Sequence, residues 1–127
     1  MQRLLFTGFA LSLLASSQNA PKTLTGWFAD EGCAKGKVAS GIIGPTNPEC
    51  ARTCIEKGNR VVFISEQGKE MLYLKDYPIA SAIQQLGYRI EITGTENSDT
   101  KTLSVATVKR IGEYQGPACA RPKNRNK

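Results

Sequence analysis

The segment 47–58, NPECARTCIEKG, constrains the fold most strongly, because it places two of the four cysteines on one short helix. Asn47 suits the N-cap, and Pro48 suits the first helical position, where a missing N–H costs nothing. Gly58 supplies a left-handed stop. The helix carries one apolar stripe along its length, formed by Cys50, Ala51, Cys54 and Ile55. The sequence therefore predicts a helix that packs through its cysteine-bearing side.

The spacing of the cysteines limits how they can pair. Cys50 and Cys54 lie four apart on the helix, so their Cβ atoms are about 5–6 Å apart, whereas a disulfide needs about 3.8 Å. Two connectivities remain, Cys33–Cys50 with Cys54–Cys119 or Cys33–Cys54 with Cys50–Cys119. Closing a loop of about 17–21 residues at Cys33 would stabilise the fold by roughly 3 kcal/mol. We expect two disulfides and no free thiol.

The N-terminal residues predict export. Arg3 precedes an apolar run from Leu4 to Ala15, and small residues follow it, which is typical of a secretory signal peptide. We expect residues 1–17 to be removed after Ser17, with Ala20 as the competing cleavage site. The run is shorter than the about 20 apolar residues that span a bilayer, so no transmembrane segment is predicted. A secreted or periplasmic location favours disulfides.

The basic charge belongs to the C-terminal tail. Of the 17 Lys and Arg, Arg3 lies in the signal peptide and four lie in the last seven residues, so 12 remain against 11 Asp and Glu. A nearly neutral body is not expected to bind nucleic acid, which depends on phosphate neutralisation. We expect residues 18–118 to form one domain and the tail 119–127 to be disordered. Weak contact with an anionic surface is the one interaction predicted for the tail.

The remaining segments predict a β-barrel. Strand composition occurs at residues 23–29, 60–65, 70–74, 88–93 and 102–105, with a bulge expected near 106–107. Residues 34–45 read as an irregular loop. A second helix is predicted from Pro78 to Leu86, capped by Asp76, with a core-facing stripe at Ile79, Ala82, Ile83 and Leu86.

This order of elements is that of an OB-fold, a five-stranded partly open barrel with a helix between its third and fourth strands. The cysteine helix is an insertion between strands 1 and 2. We therefore predict a mainly β, α+β fold with two short helices. The alternative is an open antiparallel sheet with both helices on one face.

Several motifs are shared with one family. They are GWFAD at 26–30 followed by Cys33, ECARTCIEKG at 49–58, a hairpin carrying Tyr73, and ITGT at 92–95. With them the chain resembles, over residues 24–111, small secreted bacterial proteins of a domain-of-unknown-function family with a D-x-x-C and C-x-x-x-C pattern. Family members often have a histidine after the first cysteine, and this chain has none. The resemblance implies fold and export, but no mechanism.

The chemistry of the side chains favours binding over catalysis. Without histidine, the chain has no Ser-His-Asp or Cys-His base, and lysine- or carboxylate-based alternatives leave no recognisable spacing. No phosphate-binding glycine motif is present. We expect no enzyme activity, no cofactor and no metal. Because OB-folds bind ligands through aromatic residues on strand faces, we predict a ligand face at Trp27, Tyr73 and Tyr88. The predicted function is an exported binding module of unknown ligand or protein partner, and the alternative is a thiol-redox or metal-handling protein.

Overall fold

The computed structural model describes residues 20–115. The predicted signal peptide, the predicted tail and Cys119 lie outside the described residues. Residues 20–115 form five strands and three helices, which follow one another in the order β1 (Lys22–Asp30), α1 (Glu31–Ala39), α2 (Pro48–Glu56), β2 (Val61–Ser65), β3 (Glu70–Lys75), α3 (Ile79–Gln84), β4 (Tyr88–Asn97) and β5 (Thr102–Tyr114).

The strands form a closed barrel in the order β1-β2-β3-β5-β4. Every pairing is antiparallel except β3 with β5, which is parallel and runs from Tyr73 opposite Thr102 to Lys75 opposite Ser104. This closure removes free strand edges. The predicted OB-like barrel is confirmed, with α2 inserted between β1 and β2 and α3 between β3 and β4.

Gly26 allows β1 to approach β2 closely. Gly26 pairs with Ser65 of β2 and with Ile90 of β4, and a Cβ placed there would lie 1.8 Å from the Ile64 carbonyl oxygen.

At the junction of β4 and β5, the register shifts between Thr93 opposite Thr107 and Gly94 opposite Val105. Ala106 is therefore the extra residue of a bulge, as the sequence predicted.

The barrel interior forms the main core. Its strand residues are Leu24, Phe28, Val61, Phe63, Leu72, Ile90, Ile92 and Leu103, all buried. The helices α2 and α3 add Ala51, Ile55 and Ala82 to the same cluster. The cysteine helix therefore packs as predicted, with the Asn47 side chain accepting the backbone N–H groups of Glu49 and Cys50.

A second, smaller core lies on the outer face of the barrel. There Ala29, Val62 and Ile64 pack against Ala34 of α1, with Val38 and Ile43 beside them. The sequence prediction of an irregular loop at 34–45 is wrong for residues 34–39, because α1 forms there. Asp30 caps α1 by accepting the backbone N–H of Cys33, and docking on the strands supplies the stability that a glycine-containing segment lacks by itself.

The third helix is shorter than predicted. Pro78 occupies the N-cap without a side-chain hydrogen bond, while Asp76 adopts a positive φ of 60° and caps nothing. Ile79 is 59% exposed and does not join the stripe, whereas Ala82 and Leu86 are buried.

Candidate functional site

The predicted ligand face is not one surface in the structure. Trp27 and Tyr73 lie on the outer side of the barrel, because Trp27 stands opposite Ile64 and Tyr73 opposite Val62. Tyr88 packs instead against the main core. The alternation of β4 directs its side chain to the other side of the sheet.

Trp27 and Tyr73 are also already occupied by intramolecular contacts. Trp27 is 7% exposed, and its Nε1–H donates to Gln115 Oε1 at 2.9 Å. The Tyr73 hydroxyl donates to Glu31 of α1, and Arg60 Cζ lies 4.1 Å above its ring. The hydrogen bond to Glu31 is the main reason that the pKa of Tyr73 is raised.

The helix α1 therefore closes the face that OB-folds commonly use. In such folds the face of strands 2 and 3 carries the ligand. Here Val62 and Ile64 of β2 are fully buried beneath α1 and the segment after it, which contributes Ile43. A ligand of this barrel needs another surface.

A cleft of about 510 Å³ lies between α2, the end of α3 and the neighbouring ends of β4 and β5. Its α2 wall is made by Glu49, Arg52 and Thr53, and Tyr88 with Tyr114 forms the opposite wall. This volume is within the range of about 300–1,000 Å³ for small-molecule sites. We call this opening the α2–β5 cleft.

The tyrosine wall of the cleft is fixed in place. The rings of Tyr88 and Tyr114 meet edge to face, 5.4 Å between centroids, and Arg110 Cζ lies 3.9 Å above Tyr88. Arg110 in turn donates to Gln85 Oε1 at 2.7 Å. Gly87, at φ +88°, leaves room for the Tyr114 ring, which lies 2.4 Å from where a Cβ would stand. This wall is therefore preorganised.

Arg52 brings a positive charge to the cleft, which Glu49 also lines with a negative one. Within residues 20–115 its guanidinium forms no hydrogen bond and no ion pair. Glu56, four residues further along α2, forms no ion pair with it. Arg52 is thus available to a carboxylate or phosphate group, which a guanidinium binds in bidentate fashion.

The cysteines differ from the predicted disulfide pattern. Cys33, near the start of α1, is exposed, and Cys54, near the end of α2, is half-buried; both are free thiols. Cys50 is not a free thiol. No disulfide joins two cysteines within the described range, and any bond to Cys119 would end outside it.

The buried Asp30 connects the two thiol-bearing turns. Its Oδ2 accepts the backbone N–H of Cys33 at 3.0 Å and the Nδ2 group of Asn59 at 3.5 Å. Asn59 in turn donates its backbone N–H to the Cys54 carbonyl at 3.0 Å. Asp30 is only 1% exposed, and its Oδ1 is buried without a partner.

This environment changes the acidity of Cys33. Burial, followed by the charge of Asp30 and a hydrogen bond to its carboxylate, raises the pKa of the Cys33 thiol. The nearby Cys54 raises this pKa further, while Lys37 lowers it.

Residues 20–115 contain no cluster of three potential metal ligands from His, Cys, Asp and Glu. Among their helices, none has both the length and the apolar character needed to cross a bilayer.

Neither a protein-family model nor a curated protein nor a solved structure matches the chain. The function of the chain is therefore inferred from the geometry of the chain's own residues.

Proposed function

We propose that the chain is an exported, non-catalytic binding module that takes a small ligand in the α2–β5 cleft. The observation that carries this proposal is the juxtaposition of a fixed tyrosine wall with the unpaired Arg52 across an opening of about 510 Å³. Ligand sites typically combine such apolar and aromatic walls with a few polar groups that set orientation. The proposal replaces the sequence-predicted face at Trp27 and Tyr73 and retains Tyr88.

The lining indicates the chemistry of the ligand. The half-exposed Tyr114 offers a ring face to a planar or sugar ring. Arg52 offers two parallel N–H donors to an anionic group. We therefore favour a small ring compound that carries a carboxylate.

A binding screen tests this proposal. The probes are benzoate, indole-3-acetate and glucuronate, each beside its neutral analogue benzamide, indole-3-acetamide or glucose. We expect at least one acid to raise the melting temperature of the full chain while its neutral analogue does not. Its dissociation constant then follows from titration calorimetry.

Arginine variants locate the binding. Arg52→Ala is expected to weaken the acid at least tenfold, because about 1.5–3 kcal/mol is typical of a hydrogen bond to a charged group. Arg60→Ala is the matched control, since Arg60 is also exposed but stacks on Tyr73 outside the cleft. Equal affinity of Arg52→Ala and the parent protein would contradict the proposal, as would a screen in which no acid binds.

Export and disulfide stabilisation belong to the same proposal. The support is the N-terminal sequence pattern and the four cysteines of a short chain. Intact mass of the periplasmic or secreted protein is expected to lack residues 1–17, with removal of residues 1–20 as the other cleavage. Retention of the full N-terminus in the cell pellet would contradict export. Membership of the secreted domain-of-unknown-function family stays a prediction.

The alternative function, thiol-redox chemistry, is favoured by one observation. Two free thiols, Cys33 and Cys54, lie near each other beside the buried Asp30. For metal handling, residues 20–115 offer no comparable support.

A further inference from the structure

The first turn of α1 and the last turn of α2 are held together by a continuous set of hydrogen bonds. It runs from the Cys33 backbone N–H to Asp30, from Asp30 to the Asn59 side chain, and from the Asn59 backbone to the Cys54 carbonyl. Glu31, which follows Asp30, also donates its backbone N–H to the Arg60 carbonyl at 2.9 Å. The two cysteines are therefore positioned by the same network.

We infer that Cys33 and Cys54 are a reversible dithiol–disulfide pair that covalently latches α1 to α2. Of the two connectivities left open by the sequence, this one joins the two free thiols whose turns the network connects. It also leaves Cys50, which is not a free thiol, for Cys119. The pair is separate from the α2–β5 cleft, so the inference does not depend on the proposed ligand.

The oxidant is a second disulfide, either a small molecule such as glutathione disulfide or a disulfide of another protein. Cys33, the more exposed thiol, loses its proton and attacks one sulfur of that disulfide, which releases one thiolate. Cys54 then loses its proton and attacks the Cys33 sulfur of the mixed disulfide, which releases the second thiolate. The two cysteines have lost two electrons and two protons, and the external disulfide has become two thiols.

Asp30 is a positioning residue in this exchange. Its carboxylate caps α1 beside Cys33 and contacts Asn59 beside Cys54. The same negative charge disfavours the Cys33 thiolate, and thiolate is the form that attacks a disulfide. Asp30 therefore holds together the two turns that carry Cys33 and Cys54, and its charge slows the thiol exchange at neutral pH.

Oxidation would fix α1 over the outer face of β2. By itself α1 is a poor helix, since it has only nine residues, contains Gly32 and Gly36, and buries little besides Ala34. Reduction would therefore loosen the cover over Val62 and Ile64, and oxidation would secure it.

Peptide mapping tests the latch. Trypsin places each cysteine in a different peptide, at residues 23–35, 38–52, 53–57 and 111–123. The full exported protein is equilibrated at a series of ratios of reduced to oxidised glutathione, blocked with N-ethylmaleimide under acid quench, and digested. We expect peptides 23–35 and 53–57 to be joined under oxidising ratios and to be released together in one two-electron transition. Persistent free thiols, single glutathione adducts, or a Cys33–Cys50 linked pair would overturn the inference.

Two variants separate latch chemistry from folding. Cys54→Ser should abolish the joined peptide and leave a stable glutathione adduct on Cys33, because no resolving thiol remains. In the reduced protein, Asp30→Asn should raise the iodoacetamide alkylation rate of Cys33 at pH 8 at least threefold, with Cys54 as the internal control. Asn remains a good N-cap, so α1 keeps its cap. An unchanged Cys33 rate in a variant with native circular dichroism would contradict the role of Asp30.

As a readout of α1, hydrogen exchange in residues 31–39 should be at least tenfold faster in reduced than in oxidised wild-type protein. Exchange at the same rate in both forms would overturn the latch.

Discussion

Alanine at position 26 is expected to break the contact on which barrel closure depends. Its Cβ would lie 1.8 Å from the Ile64 carbonyl oxygen and 3.0 Å from the Phe63 ring. Non-bonded carbon atoms prefer separations of about 3.5–4.0 Å, so β1 and β2 would have to move apart by about 1.5 Å or more. The Ile64 atom is backbone, so a rotamer change cannot relieve the clash.

The cost of this substitution can be estimated from two contributions. Overpacking in a buried site costs typically about 1–3 kcal/mol. Separating the strands also weakens ladder hydrogen bonds beside Gly26, each of which contributes about 1 kcal/mol. We therefore expect Gly26→Ala to lower the free energy of unfolding by at least about 3 kcal/mol, a large part of the roughly 5–15 kcal/mol typical of a domain.

The same chemical change at Gly36 should have the opposite sign. Gly36 lies inside α1, and a Cβ there meets no atom within 4 Å. Alanine is the better helix former by about 1 kcal/mol, so Gly36→Ala should stabilise the protein. Urea unfolding followed by far-ultraviolet circular dichroism measures both variants. We take about 1–3 kcal/mol/M as the urea slope. A Gly26→Ala protein whose free energy of unfolding lies within about 0.5 kcal/mol of the parent's would refute the strand geometry.

Three further changes have defined outcomes. Asn47→Ala removes the acceptor for two N–H groups at the start of α2 and should cost about 1 kcal/mol in urea unfolding, whereas Asn47→Asp should cost less. Tyr73→Phe removes the hydrogen bond to Glu31 and should cost about 1 kcal/mol, with faster hydrogen exchange in α1 as the local sign. In the reduced protein, Cys33 has a raised pKa, so the folded state holds this proton more tightly than the unfolded state. Stability should then fall as the pH rises above about 9, and Cys33→Ser should remove that part of the fall, measured by urea unfolding at several pH values.

The elements that the sequence could predict are those with strong local signals. The helix α2 has a cap, an N-terminal proline, an apolar stripe and a glycine stop, and it lies where these residues place it. The bulge expected near residues 106–107 also forms, with Ala106 as the extra residue.

The helix α1 could not be predicted because its stability is not local. Its two glycines and weak apolar pattern resemble a loop, and it forms because Asp30 caps it and Ala34 docks on β2. Missing α1 also caused the error in the ligand face. Once a helix covers β2, Trp27 and Tyr73 no longer face an open groove.

The α2–β5 cleft was missed for a similar reason. No role was predicted for Arg52, and the last predicted strand ended at residue 105. Instead β5 continues to Tyr114, whose ring packs on Tyr88. Gly87 was the one available signal, because its missing side chain makes room for that ring.

The most direct test of the account is a nuclear magnetic resonance titration of ¹⁵N-labelled protein with the best acid from the screen. We predict chemical-shift changes concentrated at Glu49, Arg52, Thr53 and Tyr114, with the Trp27 indole N–H signal unmoved. Changes centred on Trp27 and Tyr73, with none at Arg52, would show that the outer strand face binds the ligand and would contradict the cleft.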